Sequence, residues 1–254
     1  MRAIVLTRQK EGHQVSWGGA FAAGLRRRGW VADLSDKQKG CDLLVMWGAR
    51  RTPEIARQKA AGGEVCILER GYVGDRFAWT SVSFGGGLNG RAEFRGPFED
   101  GSRWDANFEP VMKPWRDVPG GYALIMQQVP GDKSIEGVDM GSFYRKARAA
   151  FEPRGMPVRV RAHPNMHPRQ GETHLAAVKA SLAQDLAGAH VAVTYNSNSG
   201  VDAVLAGVPT VAMDRGAMAW DVTGHELEMP PTPDRTAWAH ALAWKQWSRE
   251  EMES

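Results

Sequence analysis

The chain has 254 residues, 43% of them hydrophobic and 24% charged, with a formal net charge of +3. That composition suits one large or two small globular domains, and no apolar run approaches the ~20 residues that a membrane-spanning helix needs. The two cysteines, Cys41 and Cys66, lack metal-ligand spacing and read as reduced core residues.

The start, Met1 to Thr7, is too short for a signal peptide and reads as a first buried strand, so a cytoplasmic location is expected. Residues 3–7 predict that strand, 17–28 a helix ending at Gly29, and 43–47 a second strand. Residues 53–61 predict a helix with Pro53 at its start and Gly62-Gly63 past its end, and 65–68 a third strand. Strands alternating with helices imply a parallel sheet with right-handed crossovers. Residues 71–120, rich in Gly, Pro and Trp, break the pattern, and irregular stretches of that length are usually functional.

A second series follows: strands at 122–127, 158–161, 190–194 and 209–213, and helices at 141–151, 175–183 and 200–206. Residues 234–252 predict one final helix carrying Trp238, Trp244 and Trp247, and the chain stops inside it, as a truncated chain would. The expected fold is α/β, with two Rossmann-like domains facing across a cleft. The first spans 1–118 and the second 119–232. The C-terminal helix, 233–254, packs back on the first.

Two segments carry the chemistry. Arg161-Ala162-His163-Pro164 follows a strand, and Asn196-Ser197-Asn198-Ser199-Gly200 joins a strand to a helix. A hydroxyl- and glycine-rich loop at a helix start is an anion site, and a cation from a neighbouring strand end would face it. The first turn, Thr7 to Gly12, is not GxGxxG, and there is no Walker loop. That argues against a nicotinamide dehydrogenase or a nucleotide hydrolase. His163, His167 and His174 are close in sequence, but the prolines among them disfavour a metal site, and no metal is expected.

Three motifs together resemble the GT-B glycosyltransferases, in particular the capsule-polysaccharide Kdo-transferase-like branch and its phage-encoded, DNA-modifying relatives. They are Gln128-Val129-Pro130-Gly131-Asp132-Lys133-Ser134, the Arg161 to Pro164 segment, and the run from Asn196 through Gly200 and Asp202 to Gly207-Val208-Pro209. The resemblance covers about the second half of the chain. It implies a second domain that binds a UDP- or CMP-linked sugar as co-substrate, with no other cofactor. Gln128, Asp132, Ser134, Arg161, His163, Asn196, Ser197, Asn198, Ser199, Gly200 and Asp202 are then its donor-side residues. Asp202 stands where the family usually has Glu.

The acceptor must lose a proton, so the first half should offer a base. His13, Glu69 and Asp75 are the candidates, and the sequence does not separate His13 from Glu69. Residues 1–60 hold 12 Lys and Arg against 5 Asp and Glu, a charge of +7, which points to a polyanionic partner. Arg8, Lys10, Trp17, Arg50, Arg51, Arg76, Asn89 and Arg91 are the expected acceptor contacts. Trp79, Trp104 and Trp115 join Trp17 as aromatics able to stack on bases or sugars. The favoured acceptor is a 5-hydroxymethylpyrimidine, such as 5-hydroxymethylcytosine, in phage-type DNA. Three rivals stay open: a capsule or lipopolysaccharide glycan acceptor, a UDP-sugar 2-epimerase-like enzyme, and a nucleic-acid-binding protein on an inactive scaffold.

Overall fold

A computed structural model of the protein describes residues 1–8, 12–164 and 180–254. The chain forms two compact units, one of Met1–Asn107 with Ala239–Ser254 and one of Phe108–Trp238. The boundaries therefore fall at 107/108 and 238/239 instead of 118/119 and 232/233.

The first unit begins with β1 (Arg2–Leu6), α1 (Gly12–Arg27), β2 (Val31–Ser35), β3 (Leu43–Trp47), α2 (Thr52–Ala60), β4 (Glu64–Arg70), β5 (Trp79–Phe84) and α3 (Ser102–Asn107). The second unit holds β6 (Tyr122–Met126), α4 (Met140–Phe151), β7 (Val158–Arg161), α5 (Leu182–Ala187), β8 (Ala189–Thr194), α6 (Ser199–Leu205) and β9 (Thr210–Ala212). The chain then runs through α7 (Thr236–Ala243), β10 (Gln246–Ser248) and α8 (Arg249–Glu253). Among the described residues no helix is long and apolar enough to cross a membrane.

The first sheet has the order β10-β5-β4-β3-β1-β2. Its four strands β2, β1, β3 and β4 are parallel, while β5 is antiparallel to β4 and β10 to β5. This sheet is mixed, not wholly parallel as expected. The second sheet, β7-β6-β8-β9, is parallel throughout. The apolar runs of β1, β3, β6 and β8 are buried on both faces, as parallel strands covered by helices must be.

Both sheets share one device. The chain leaves a central strand toward one side and then returns to the other, which makes a switch point between β1 and β3 and a second between β6 and β8. Loops diverge at the carboxyl ends of such strands and leave a crevice where ligands bind in open α/β sheets.

The expected single helix at 234–252 is instead helix, strand and helix. Gln246 has no exposed surface, and its amide accepts from the N–H groups of Tyr72 (2.6 Å) and Val73 (3.0 Å) and donates to Val73 O (3.0 Å). Those bonds tie β10 to the loop after β4, while its backbone pairs with β5. A capping box, Ser248 with Glu251, then starts α8.

Candidate functional site

In the second unit the structure brings the loops after β6 and β8 together at the switch point. The two are joined through buried amides. Gln128 Nε2 donates to Asn196 Oδ1 (2.7 Å), and Asn196 N donates back to Gln128 Oε1 (3.0 Å). Asn196 Nδ2 donates to Ser134 O and to Asp214 Oδ2, both at 2.8 Å. Asn196 is 1% and Gln128 7% exposed, so these two side chains brace the site from within. Asp214, which sequence reasoning missed, also accepts from Gly216 N (2.9 Å) and so shapes the turn after β9. Asp132 has a similar local role, its Oδ1 accepting from Ser134 N (2.9 Å) and Ser134 Oγ (2.8 Å).

The serine loop differs in detail from the expected anion cradle. The N–H of Ser197 donates to Thr194 Oγ1 (3.0 Å), that of Ser199 to Ser197 Oγ (3.2 Å) and that of Gly200 to Ser197 O (2.9 Å). These N–H groups are occupied within the loop, and α6 has only 7 residues to supply a dipole. What turns outward is hydroxyl. Ser197 Oγ accepts from both the N–H and the hydroxyl of Ser199 (2.8 Å to the latter), which leaves its own proton for a further acceptor. Gly200 packs closely, since a Cβ there would lie 3.1 Å from Thr194 Cγ2. Gly207, at φ +76°, closes the turn where a Cβ would lie 2.0 Å from Pro114 O. Asn198 and Asp202 flank the start of α6, both half-buried.

Arg161 and His163 are placed otherwise than expected. Arg161 is mostly buried and pairs with the buried Asp185, and it also donates to Ala180 O (2.9 Å). Asp185 is shared with Arg159 (3.4 Å), and Arg161 is the buried partner of the two, so it is held in a structural ion pair. His163 follows β7, and β6 stands between β7 and β8. Two strand spacings, ~10 Å, separate its strand end from the serine loop. His167 and His174 lie outside the described residues, as does most of the expected helix at 175–183.

A cavity of about 540 Å³ opens where β6 meets α4, lined by Gln127, Gln128, Ile135, Asp139, Met140, Tyr144 and Arg145 among others. Its size is that of a small-ligand pocket. The Tyr144 hydroxyl accepts from Gln128 N (3.0 Å), and burial pushes its pKa up, so it stays protonated. The cavity shares Gln128 with the amide network but is lined by neither Ser197 nor His163.

In the first unit, His13 and Glu69 lie at the same carboxyl edge. His13, in the first turn of α1, meets the Trp47 ring edge to face at 4.9 Å between centroids. Glu69, at the end of β4, leans over Gly48, where a Cβ would lie 3.0 Å from its Oε1. The loops that end β1 to β4 here carry Arg8, Lys37, Arg50, Arg51, Arg70 and Arg76 against Asp36, Glu69 and Asp75, a net positive edge. Arg50 is exposed, and Arg51 reaches back to Asp36 O (3.5 Å). Lys10 lies outside the described residues.

Five of the expected residues do not belong to this edge. Trp17 is 6% and Trp104 2% exposed, so both rings fill the core. Asn89 and Arg91 follow β5, which runs antiparallel and ends with Phe84 opposite Cys66, near the start of β4. Their loop therefore lies at the amino edge, away from His13. Asp75 is at the right edge but works as a turn former, its Oδ1 accepting from Phe77 N (2.8 Å). Trp115, in the second unit, is tied by its N–H to Pro233 O (2.7 Å) beneath the Arg235 guanidinium.

No protein-family model and no curated protein matches the sequence. Among solved structures the chain is similar to two transferases of KpsC from Thermosulfurimonas dismutans. With the beta Kdo 2,4 transferase it shares 14% identity at a TM-score of 0.66, over 96% of this chain and 90% of that one. With the beta Kdo 2,7 transferase it shares 13% at 0.55, over 99% and 96%. The likeness is one of fold: the chain has a glycosyltransferase-like α/β architecture.

Proposed function

We propose that the protein moves a sugar from a nucleotide-sugar to a hydroxyl acceptor without a metal. The observation that carries this reading is the joined pair of loops at the β6/β8 switch point, beside a nucleoside-sized cavity, in a fold shared with Kdo transferases. Glycosyl transfer builds negative charge on the leaving phosphate, and preorganised donors there are the largest catalytic lever. In this proposal the cavity beside Gln128 takes the nucleoside and the Ser197 hydroxyl meets the phosphate. His163 contacts the donor from beyond β6. No Asp-x-Asp motif ends a strand, which favours metal-independent chemistry.

The first unit would hold the acceptor, with His13 or Glu69 taking its proton. The net positive edge around them favours a polyanion, and the reading we adopt is DNA carrying a hydroxymethylated pyrimidine. The rival acceptor, an acidic glycan, draws its support from the Kdo transferases that share the fold.

The test is a donor screen. UDP- and CMP-sugars are offered with hydroxymethylcytosine DNA, hydroxymethyluracil DNA, unmodified DNA and acidic oligosaccharides, in EDTA, with products read by mass spectrometry. A new glycosylated nucleoside supports the proposal. Transfer only to oligosaccharide moves the acceptor to glycan, and activity that appears only on adding manganese refutes the metal-independent mechanism. Ser197→Ala and His163→Ala should each lower turnover by on the order of a hundredfold.

A further inference from the structure

Four side chains at the carboxyl edge of the first unit form one continuous stack that no motif announced. His13 meets Trp47 edge to face. The Arg70 guanidinium lies 5.3 Å from the Trp47 ring centroid and 4.5 Å from that of Phe77. Phe77 ends the series and is 73% exposed. It is held out on the turn that Asp75 builds, with Phe77 N on Asp75 Oδ1 and Ala78 N on Asp75 O (2.9 Å).

A single exposed apolar ring needs no explanation by itself. Phe77 differs from such a ring in two respects. One guanidinium already covers part of it, and the inner end of the same stack is a candidate catalytic base. We propose that Phe77 and Arg70 form a platform on which a base of the nucleic-acid acceptor stacks, with the exposed Arg50 on the same edge to meet its phosphates. This rests on the DNA reading of the acceptor given above.

Two observations favour a base over a sugar ring. Phenylalanine offers a π-face and no hydrogen bond, which suits any base, since every base has a π-face. Recognition of a sugar asks for hydroxyl-binding amides and carboxylates, whereas the polar groups flanking this stack are mostly guanidinium. Arginine also adds cation–π attraction to a stacked ring. An enzyme acting on a base within a duplex must expose it first, and a platform beside the catalytic base would receive it once flipped out.

The test measures binding of a fluorescein-labelled single-stranded 12-mer by anisotropy, with polysialic acid as the competing acidic glycan. CMP and UMP binding are followed separately by calorimetry. Phe77 is exposed, so Phe77→Ala should fold normally. It should weaken oligonucleotide binding about five- to a hundredfold, the range for losing one base–aromatic stack. Phe77→Trp should restore it, and nucleotide binding should not change in either variant. Equal oligonucleotide affinity in wild type and Phe77→Ala overturns the platform while leaving the DNA acceptor standing. Wild-type protein that binds polysialic acid but no oligonucleotide, or neither, overturns both. Oligonucleotide binding lost in Phe77→Ala, in a protein that binds no nucleotide or nucleotide-sugar, supports the platform and removes the transferase reading instead.

Discussion

Asn196→Ala removes the amide that ties the loop after β6 to the loop after β8. Three side-chain hydrogen bonds go with it: one from Gln128 Nε2, one to Ser134 O and one to the Asp214 carboxylate. A neutral bond is worth about 0.5–1.5 kcal/mol and one to a charged group about 1.5–3 kcal/mol, so the expected loss is about 2.5–6 kcal/mol. Partial relief comes from Gly216 N, which still satisfies Asp214. For a unit of this size that is a fall in melting temperature of roughly 10–20 °C, read by circular dichroism. Gln128→Ala should cost less, because Asn196 keeps its bonds to Ser134 and Asp214. In the double mutant the two losses should fall short of adding, by about 1–3 kcal/mol, because each removes part of the same pair. Losses that add within ~0.5 kcal/mol would refute the claim that the two loops act as one unit.

Two other perturbations test the first unit. Arg103 is buried among the rings of Trp79, Trp244 and Trp247 and holds Glu251, Ala243 O and Gln246 O, so Arg103→Met should cost about 3–5 kcal/mol in a denaturant titration by stranding those partners. Burial alone raises the Glu251 carboxyl, but the hydrogen bonds and charge of Arg103, with help from Ser248, outweigh it and leave its pKa below 4.5. A lowered folded pKa means that this stability is complete above about pH 4.5 and is lost as pH falls through the folded value; Arg103→Met should therefore flatten the acid limb of a stability–pH curve. Arg50→Ala with Arg51→Ala should weaken DNA binding and lower the slope of log K against log salt by up to about 1.8, and an unchanged slope would take both residues off the DNA.

The sequence reveals strands where burial is apolar and hides them where it is not. β1, β3, β6 and β8 are runs of aliphatic residues and are legible as such. β5 buries Thr80, Ser81 and Ser83, and β10 buries Gln246, so neither carries a hydrophobic period. β2 is an edge strand with Val31 exposed at 61%, and it too lacks an apolar run. The buried face of α1 is Trp17 with Gly18, Ala20, Ala22 and Gly24, small residues that leave the helix start unmarked. Site residues follow the same logic. Loops that end strands could be picked out, which is why His13, Glu69, Gln128 and Ser197 fall at the carboxyl edges of the sheets. Whether a polar side chain there faces a ligand or a neighbour depends on partners far along the chain. Gln128 and Asn196 are 68 residues apart and satisfy each other, while Trp47, Arg70 and Phe77 meet because β3 lies beside β4. The one available signal for that stack is an aromatic and a charge at the ends of neighbouring strands.

The donor's charge must be met elsewhere in the second unit than at Arg161. Expected positive charge at the second unit's edge rested on Arg161 and on open N–H groups at a helix start. Asp185 holds Arg161 in a buried pair, and the loop itself occupies the N–H groups of Ser197, Ser199 and Gly200. A hydroxyl such as that of Ser197 binds phosphate but does not balance its charge. Among the described residues, the carboxyl edge carries a cation next to the serine loop's anchor: Arg215, exposed on the turn after β9. Its neighbour Asp214 is fixed to the serine loop both through Asn196 and by its own N–H, which donates to Tyr195 O (3.0 Å). Arg215 lies near the Trp220 ring, 6.0 Å from its centroid, which leaves the guanidinium its hydrogen-bonding capacity. Arg215→Ala should therefore weaken binding of CMP or UMP by roughly ten- to a hundredfold, the value of one charge-assisted contact, and leave cytidine or uridine binding unchanged. Calorimetry with each nucleotide and its nucleoside separates the two. Equal losses for nucleotide and nucleoside would mean that Arg215 shapes the turn instead of meeting the phosphate. No loss for either would take Arg215 off the phosphate.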